Sequence, residues 1–170
     1  MALTIHSATV PVFVRNLQNL LTWLDKAQAH ADARGFDAVN YLQLRLAPDM
    51  LPFIKQIQIA SDTAKGCVAR LAGVDIPKWD DNESTLEELR SRIRRTIDFV
   101  QGFDEVRLAG GDTREVLLTL RSGEVRFAGQ RFLEHWALPN FYFHVTTAYA
   151  LLRHAGVELG KADYLAGARA

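Results

Sequence analysis

Apolar residues recur at three- and four-residue steps over four long segments of this 170-residue chain, and that spacing restricts it to a helical fold. In segment 7–34 the stripe is Val10, Phe13, Val14, Leu17, Leu20, Leu21, Leu24 and Ala27. Ser7 and Thr9 are its candidate N-caps, which places Pro11 in a first turn, and Gly35 closes it. In 49–71 the stripe runs from Met50 through Phe53, Ile57, Ala60, Ala64, Cys67 and Val68 to Leu71. Asp49 stands where an N-cap belongs, Pro52 falls in the first turn, and Gly73 ends the segment. Segment 85–101 turns Leu86, Leu89, Ile93, Ile97 and Val100 inward. Ser84 or Thr85 caps it, with Glu87 or Glu88 completing a capping box. The fourth segment is 138–155.

The connections are of three kinds. Tyr41 to Leu46 alternates and reads either as extended chain or as an irregular packed link. Asp75 to Ser84, with Pro77, Trp79 and the run Asp80-Asp81-Asn82-Glu83, reads as a loop. Val116–Leu120 and Glu124–Phe127 alternate about Ser122-Gly123, which is a β-hairpin signal near 116–127. Gly129 to Trp136 is a short segment that is itself open to a helical reading. The expectation is an all-α four-helix bundle, one domain over 1–170, with a small β-hairpin between helices 3 and 4.

Bulk properties narrow the function. Lys+Arg and Asp+Glu balance at 20 each, so nothing draws the chain as a whole to a phosphate backbone or an anionic membrane, and nucleic acid is not an expected partner. A single cysteine, Cys67, makes no internal disulfide and sits on an apolar stripe, where it acts as a small hydrophobe. With no signal peptide and no apolar run of membrane-spanning length, the expected location is the cytoplasm. Arg90, Arg92, Arg94 and Arg95 form an outer face of the third helix, read as solvated and paired to Glu87, Glu88 and Asp98, with Glu88 and Arg92 one turn apart.

Chemistry is sparse. Asn140 and His144 are four residues apart and share a helix face beside Phe141, Val145 and Ala148. His144 reads as a buried histidine held by a hydrogen bond, or as a ligand or general base. Asp49 reads as a cap or as an oxygen facing His144. Gln56 and Gln58 lie mid-helix, and one of them turned inward would need partners such as His144, Asn140 or Thr147. A small polar pocket of His144, Asn140, Asp49 and Gln56 is the candidate site. His154 complements a helix C-terminus, His135 reads as exposed, and His6 and His30 have no visible partner.

Taken together, Leu46-Ala47-Pro48-Asp49-Met50, Gln56-Ile57-Gln58, Ala64-Lys65-Gly66, Leu138 to Tyr149 and Leu152 to Val157 resemble the DinB/YfiT-like superfamily of four-helix bundles, most closely a branch of uncharacterised bacterial proteins. The resemblance implies a metal site of three histidines, one from the second helix and a His-x-x-x-His pair from the fourth. His144 falls at the second position of that pair and Asn140 at the first, and the segment 49–71 holds no histidine. No cofactor is therefore expected. Zinc or nickel, if either binds, would enter through His144. Two functions follow: a bundle binding a small ligand or a partner around a degenerate metal site, or a divalent-metal-dependent transferase or hydrolase acting on a low-molecular-weight thiol or related small molecule. Bundles of this kind commonly pair, and Trp23, Trp79 and Trp136 exceed what one small core needs, so a homodimer is expected.

Overall fold

A computed structural model describes residues 3–120 and 122–167, and four long helices carry it. They are α1 (Ile5–Arg34), α2 (Phe53–Ala72), α3 (Leu86–Gln101) and α5 (Leu138–His154). The hairpin β1 (Glu115–Leu120) and β2 (Gly123–Ala128) follows α3 and is antiparallel, with Val116 opposite Phe127 and Leu118 opposite Val125. Arg121 of its turn lies outside the described residues. Two short helices, α4 (Gly129–Phe132) and α6 (Lys161–Tyr164), complete the set. Among the described residues no helix is long and apolar enough to cross a membrane.

Helix α1 starts earlier than its sequence suggests. Thr4 is the N-cap, and it exchanges hydrogen bonds with Ser7, the third helical residue. Ser7 and Thr9 are therefore inside the helix, and Pro11 sits beyond the first turn, on an exposed position. Helix α2 starts later. Pro52 disfavours helical backbone at Leu51, so the helix cannot run back to Asp49. Its N-cap is Pro52 itself, without a side-chain cap, and the Phe53 N–H is taken by the Leu44 carbonyl at 2.9 Å. Asp49 is an exposed turn residue, not a cap. Helix α3 has the capping box of Thr85 and Glu88. The same use of its carboxylate, also bonded by Ser84, leaves no Glu88–Arg92 ion pair. Tyr41 to Leu46 is the irregular packed link and not a strand: a 3-10 turn covers Ala38–Gln43, burying Tyr41 and Leu42, and Leu44 after it is extended. Gly35 and Gly73 close α1 and α2 at φ 70°.

Helix α2 packs along α5 on one side and α3 on the other. It is buried nearly all round, and four of its buried residues are polar: Gln56, Gln58, Ser61 and Lys65. Both glutamines point inward. Such groups must find partners inside the protein or cost about 1–3 kcal/mol each, and this requirement shapes everything that follows.

The helix that carries Asn140 and His144 begins at Gly129, well before Leu138. It winds through a π turn at Leu133–Ala137, where the Leu138 N–H reaches back five residues to the Leu133 carbonyl. Pro139 explains the turn. It has no N–H for the His135 carbonyl, and its ring presses on that group in regular α geometry. The helix start passes close to the chain before the hairpin. A Cβ on Gly129 would lie 1.8 Å from the Gly111 carbonyl oxygen, so only glycine fits there.

The tryptophans are mostly used internally. Trp23 is buried, stacks with Tyr164 and meets Tyr149 edge-on. Trp79 lies between the Lys65 ammonium and the Arg95 guanidinium, 4.2 and 4.3 Å from its ring centre. Trp136 alone presents a substantial exposed surface.

Candidate functional site

Two polar seams flank α2. Against α3 the groups are charged. Arg90 and Arg92 are buried, which corrects their placement on a solvated face. Arg90 reaches Asp25, Glu87 and the Leu24 carbonyl. Arg92, 2% exposed as a side chain, meets Asp62 at 3.0 Å, Asp81 at 2.9 Å and Glu83 at 2.8 Å. Burial alone would loosen its proton. The hydrogen bond that Arg92 donates to Glu83 and the charges of Asp62, Glu83 and Asp81 outweigh that and hold the proton more firmly than usual. Lys65 adds a contact of 2.7 Å to Asp62, and Gln58 donates to Glu83 at 2.7 Å. Arg92 thus fastens the 74–84 loop onto α2 and α3, while Arg90 fastens α3 onto α1. Only Arg94 and Arg95 are exposed.

Against α5 the groups are neutral. His144 Nδ1 and Gln56 Oε1 are 2.7 Å apart. Gln56 spends its amide N–H on the Leu51 carbonyl, so its oxygen accepts and Nδ1 of His144 carries the proton. Nε2 keeps its lone pair. Burial lowers the proton affinity of this imidazole, which favours the neutral ring. One turn earlier, the Asn140 amide donates to Thr63 Oγ1 at 2.8 Å. The i,i+4 spacing therefore puts two rungs across the α2–α5 seam, His144–Gln56 and Asn140–Thr63. Asp49 is bonded to neither His144 nor Asn140. It sits before Leu51, whose carbonyl anchors Gln56.

This donor set does not fit zinc or nickel. A zinc site draws three or four protein ligands from His, Cys and carboxylates. Here one imidazole is joined by two amides and a hydroxyl, and the Gln56 oxygen already accepts from His144. Among the described residues no three His, Cys, Asp or Glu side chains are grouped to hold a metal ion. Cys67 is fully buried, and burial pushes its thiol up, away from a reactive thiolate.

Beside the Asn140–Thr63 rung opens a cleft of ≈ 240 Å³ between α2, the hairpin and the π turn. Its walls are Leu118, Leu120, Phe132 and Trp136, and its polar groups include Thr63, Asn140, Asp62 and Arg70. Sequence reasoning missed Thr63, Arg70 and Trp136. One signal was present: Thr63, Gly66 and Arg70 fall on one helix face, and a mid-helix glycine needs a reason. A larger cavity of ≈ 510 Å³ lies where α1 begins, near Glu105, Asp112 and Glu134. Those carboxylates are exposed at its rim, and nothing there converges.

His30 has the partners its sequence context did not reveal. Its Nδ1 meets the Tyr41 hydroxyl, and its ring lies edge-on to Phe36, so it ties the 3-10 turn to α1. His135 and His154 are exposed.

Comparison with known proteins agrees with the fold. A search of curated proteins finds no match. The crystal structure of a DinB family member protein from Shewanella denitrificans matches with a TM-score of 0.89 and 43% sequence identity, over 96% of this chain and 92% of that one. The family model described as a domain of unknown function, DUF1993, matches residues 5–165. Four helices, the hairpin before the last of them and these two matches place the chain in the DUF1993 family of DinB-like helical bundles.

Proposed function

We propose that the protein binds a small molecule in the cleft beside the α2–α5 seam, and that it does so without metal. The observation that carries this reading is how the seam is closed. His144 and Asn140, which fall where the resemblance would put a metal-binding pair, spend their polarity on Gln56 and Thr63, while a cleft with apolar walls and polar groups at one end stays open next to them. Concave sites of that composition are the usual form of a ligand site, and ≈ 240 Å³ suits a molecule smaller than a drug.

A second reading has one observation in its favour. With Nδ1–H given to Gln56, His144 has the tautomer of a ligating imidazole whose outer nitrogen is free. That would serve a divalent-metal-dependent transferase or hydrolase acting on a low-molecular-weight thiol or related small molecule. Elemental analysis of the purified protein separates the two. The ligand-binding reading expects zinc and nickel well below one equivalent per chain, unchanged by His144→Ala. Stoichiometric metal that disappears in His144→Ala would put the metal enzyme first.

A further inference from the structure

The side chain that decides what the cleft accepts is Arg70. Most of the buried cations on α2 and α3 are spoken for: Lys65, Arg90 and Arg92 all touch carboxylates. Arg70 is half-buried, lines the cleft, and makes no ion pair or hydrogen bond among the described residues. Burial lowers its proton affinity, Cys67 offsets this in part, and no carboxylate contributes.

Its position is set by a glycine. Helical side chains lean toward the N-terminus of their helix, so Arg70 lies back over the turn before it. That turn holds Gly66. A Cβ there would be 2.5 Å from Arg70 Nη1, so the missing side chain is the bed in which the guanidinium rests. A cation in the last turn of a helix ordinarily serves the terminal carbonyls. This one is turned away from them, along the face that carries Thr63.

The groups around it are rich in donors. Thr63 accepts from Asn140, and its own O–H has no acceptor among the described residues. Asn140 retains a second N–H and its carbonyl oxygen. The one carboxylate in the lining, Asp62, is already neutralised by Lys65 at 2.7 Å and Arg92 at 3.0 Å. A planar guanidinium takes carboxylates and phosphates alike through two parallel hydrogen bonds, and of these a carboxylate on an apolar body is the one that also suits the walls of Leu118, Leu120, Phe132 and Trp136. The opposite walls are aliphatic and aromatic.

We infer that the cleft recognises a small carboxylic acid with an apolar body: Arg70 takes the carboxylate, Thr63 and Asn140 flank it, and Phe132, Trp136 and Leu118 cover the remainder. This rests on the small-ligand reading above and gives it a substrate class.

The test is a titration of the full chain with benzoate, benzamide and inorganic phosphate, followed by NMR. The reporters are the Gly66 and Thr63 amides, the Asn140 side-chain amide and the Trp136 indole N–H. Benzoate is expected to shift these saturably, with benzamide and phosphate weaker by roughly tenfold or more. Arg70→Met is expected to abolish the preference for benzoate over benzamide. Gly66→Ala should do the same by displacing the guanidinium while Arg70 itself is kept. Equal binding of benzoate and benzamide, with Arg70→Met altering neither, would overturn the carboxylate inference and leave the small-ligand reading standing. Phosphate binding as tightly as benzoate would overturn it as well, in favour of a bare anion site. Shifts with none of the probes, or only elsewhere on the surface, would remove both.

Discussion

The two sides of α2 handle buried polarity in opposite ways. Toward α3, charge is met by charge: Arg92 alone touches three carboxylates, and Lys65 shares one of them. Toward α5, neutral groups close on each other in pairs, and one cation, Arg70, is left beside an open cleft without a partner among the described residues. The α3 side holds a loop in place. The α5 side has its polarity arranged and not consumed. An arginine that fastens and an arginine that waits thus sit on opposite sides of one helix, and what separates them is whether a carboxylate has been supplied.

The sharpest way to break this comparison is to remove each arginine. Arg92→Met leaves Glu83, 9% exposed as a side chain, without its cation, whereas Asp62 and Asp81 are open enough to rehydrate. Breaking a buried pair from one side costs about 3–5 kcal/mol. Rehydration of the two aspartates places the expected loss near the lower end. Arg70→Met leaves no carboxylate stranded and should change stability by no more than about 0.5 kcal/mol. Urea denaturation of both variants measures this. Equal losses would mean that Arg70 is as structural as Arg92.

The sequence revealed the helices and little of what the arginines do. A 3.6-residue stripe is strong in α1, α2 and α3 because each helix has a face that must be buried, and the capping box at Thr85 and Glu88 is local, so both could be read. The apolar stripe alone runs α2 back to Asp49 with Pro52 in its first turn, but Pro52 disfavours helical backbone at Leu51 and the helix starts at Phe53. Periodicity places Arg90 and Arg92 outside by default, and the structure buries both. Their burial depends on Asp25, Asp62, Asp81 and Glu83, which the fold brings from other segments. The shared face of Asn140 and His144 followed from spacing alone. The inward place of Gln56 on its helix marks it as a candidate partner of His144, 88 residues away, whereas Thr63, 77 residues from Asn140, is not among the candidates that spacing offers.

The neutral seam has its own signature in pH. Burial lowers the proton affinity of His144 in the folded state, so the unfolded chain binds the proton more readily. Stability from this group is then fully present above the unfolded value of about 6.5 and is lost as pH falls from there through the folded pKa. His144→Ala should lack that part of the acid-side slope. Near neutral pH it should also cost about 1–3 kcal/mol, because the Gln56 oxygen loses its donor. Denaturation midpoints measured against pH for both proteins check this. A wild-type curve parallel to the variant's would mean that His144 is not held neutral by the seam.

The smallest effect is the most discriminating. Gly66 sits inside α2 and is buried, and a glycine there costs roughly 0.5–1 kcal/mol relative to alanine. In a closed seam, adding a methyl group would meet packed atoms and destabilise. At Gly66 the close contact is the far end of Arg70, a flexible side chain with no ion pair to lose, and the nearest atom of any other residue, Ile76 Cδ1, is at an ordinary 3.9 Å. Gly66→Ala should therefore stabilise the protein by up to about 0.5–1 kcal/mol, as the guanidinium swings out and the helix gains a better former. A destabilised Gly66→Ala protein would show that Arg70 is fixed in its place by more than the space it occupies. A stabilised one means that the chain keeps a weaker helix to hold an uncommitted cation at the cleft, which is the pattern expected where stability has been given up for binding.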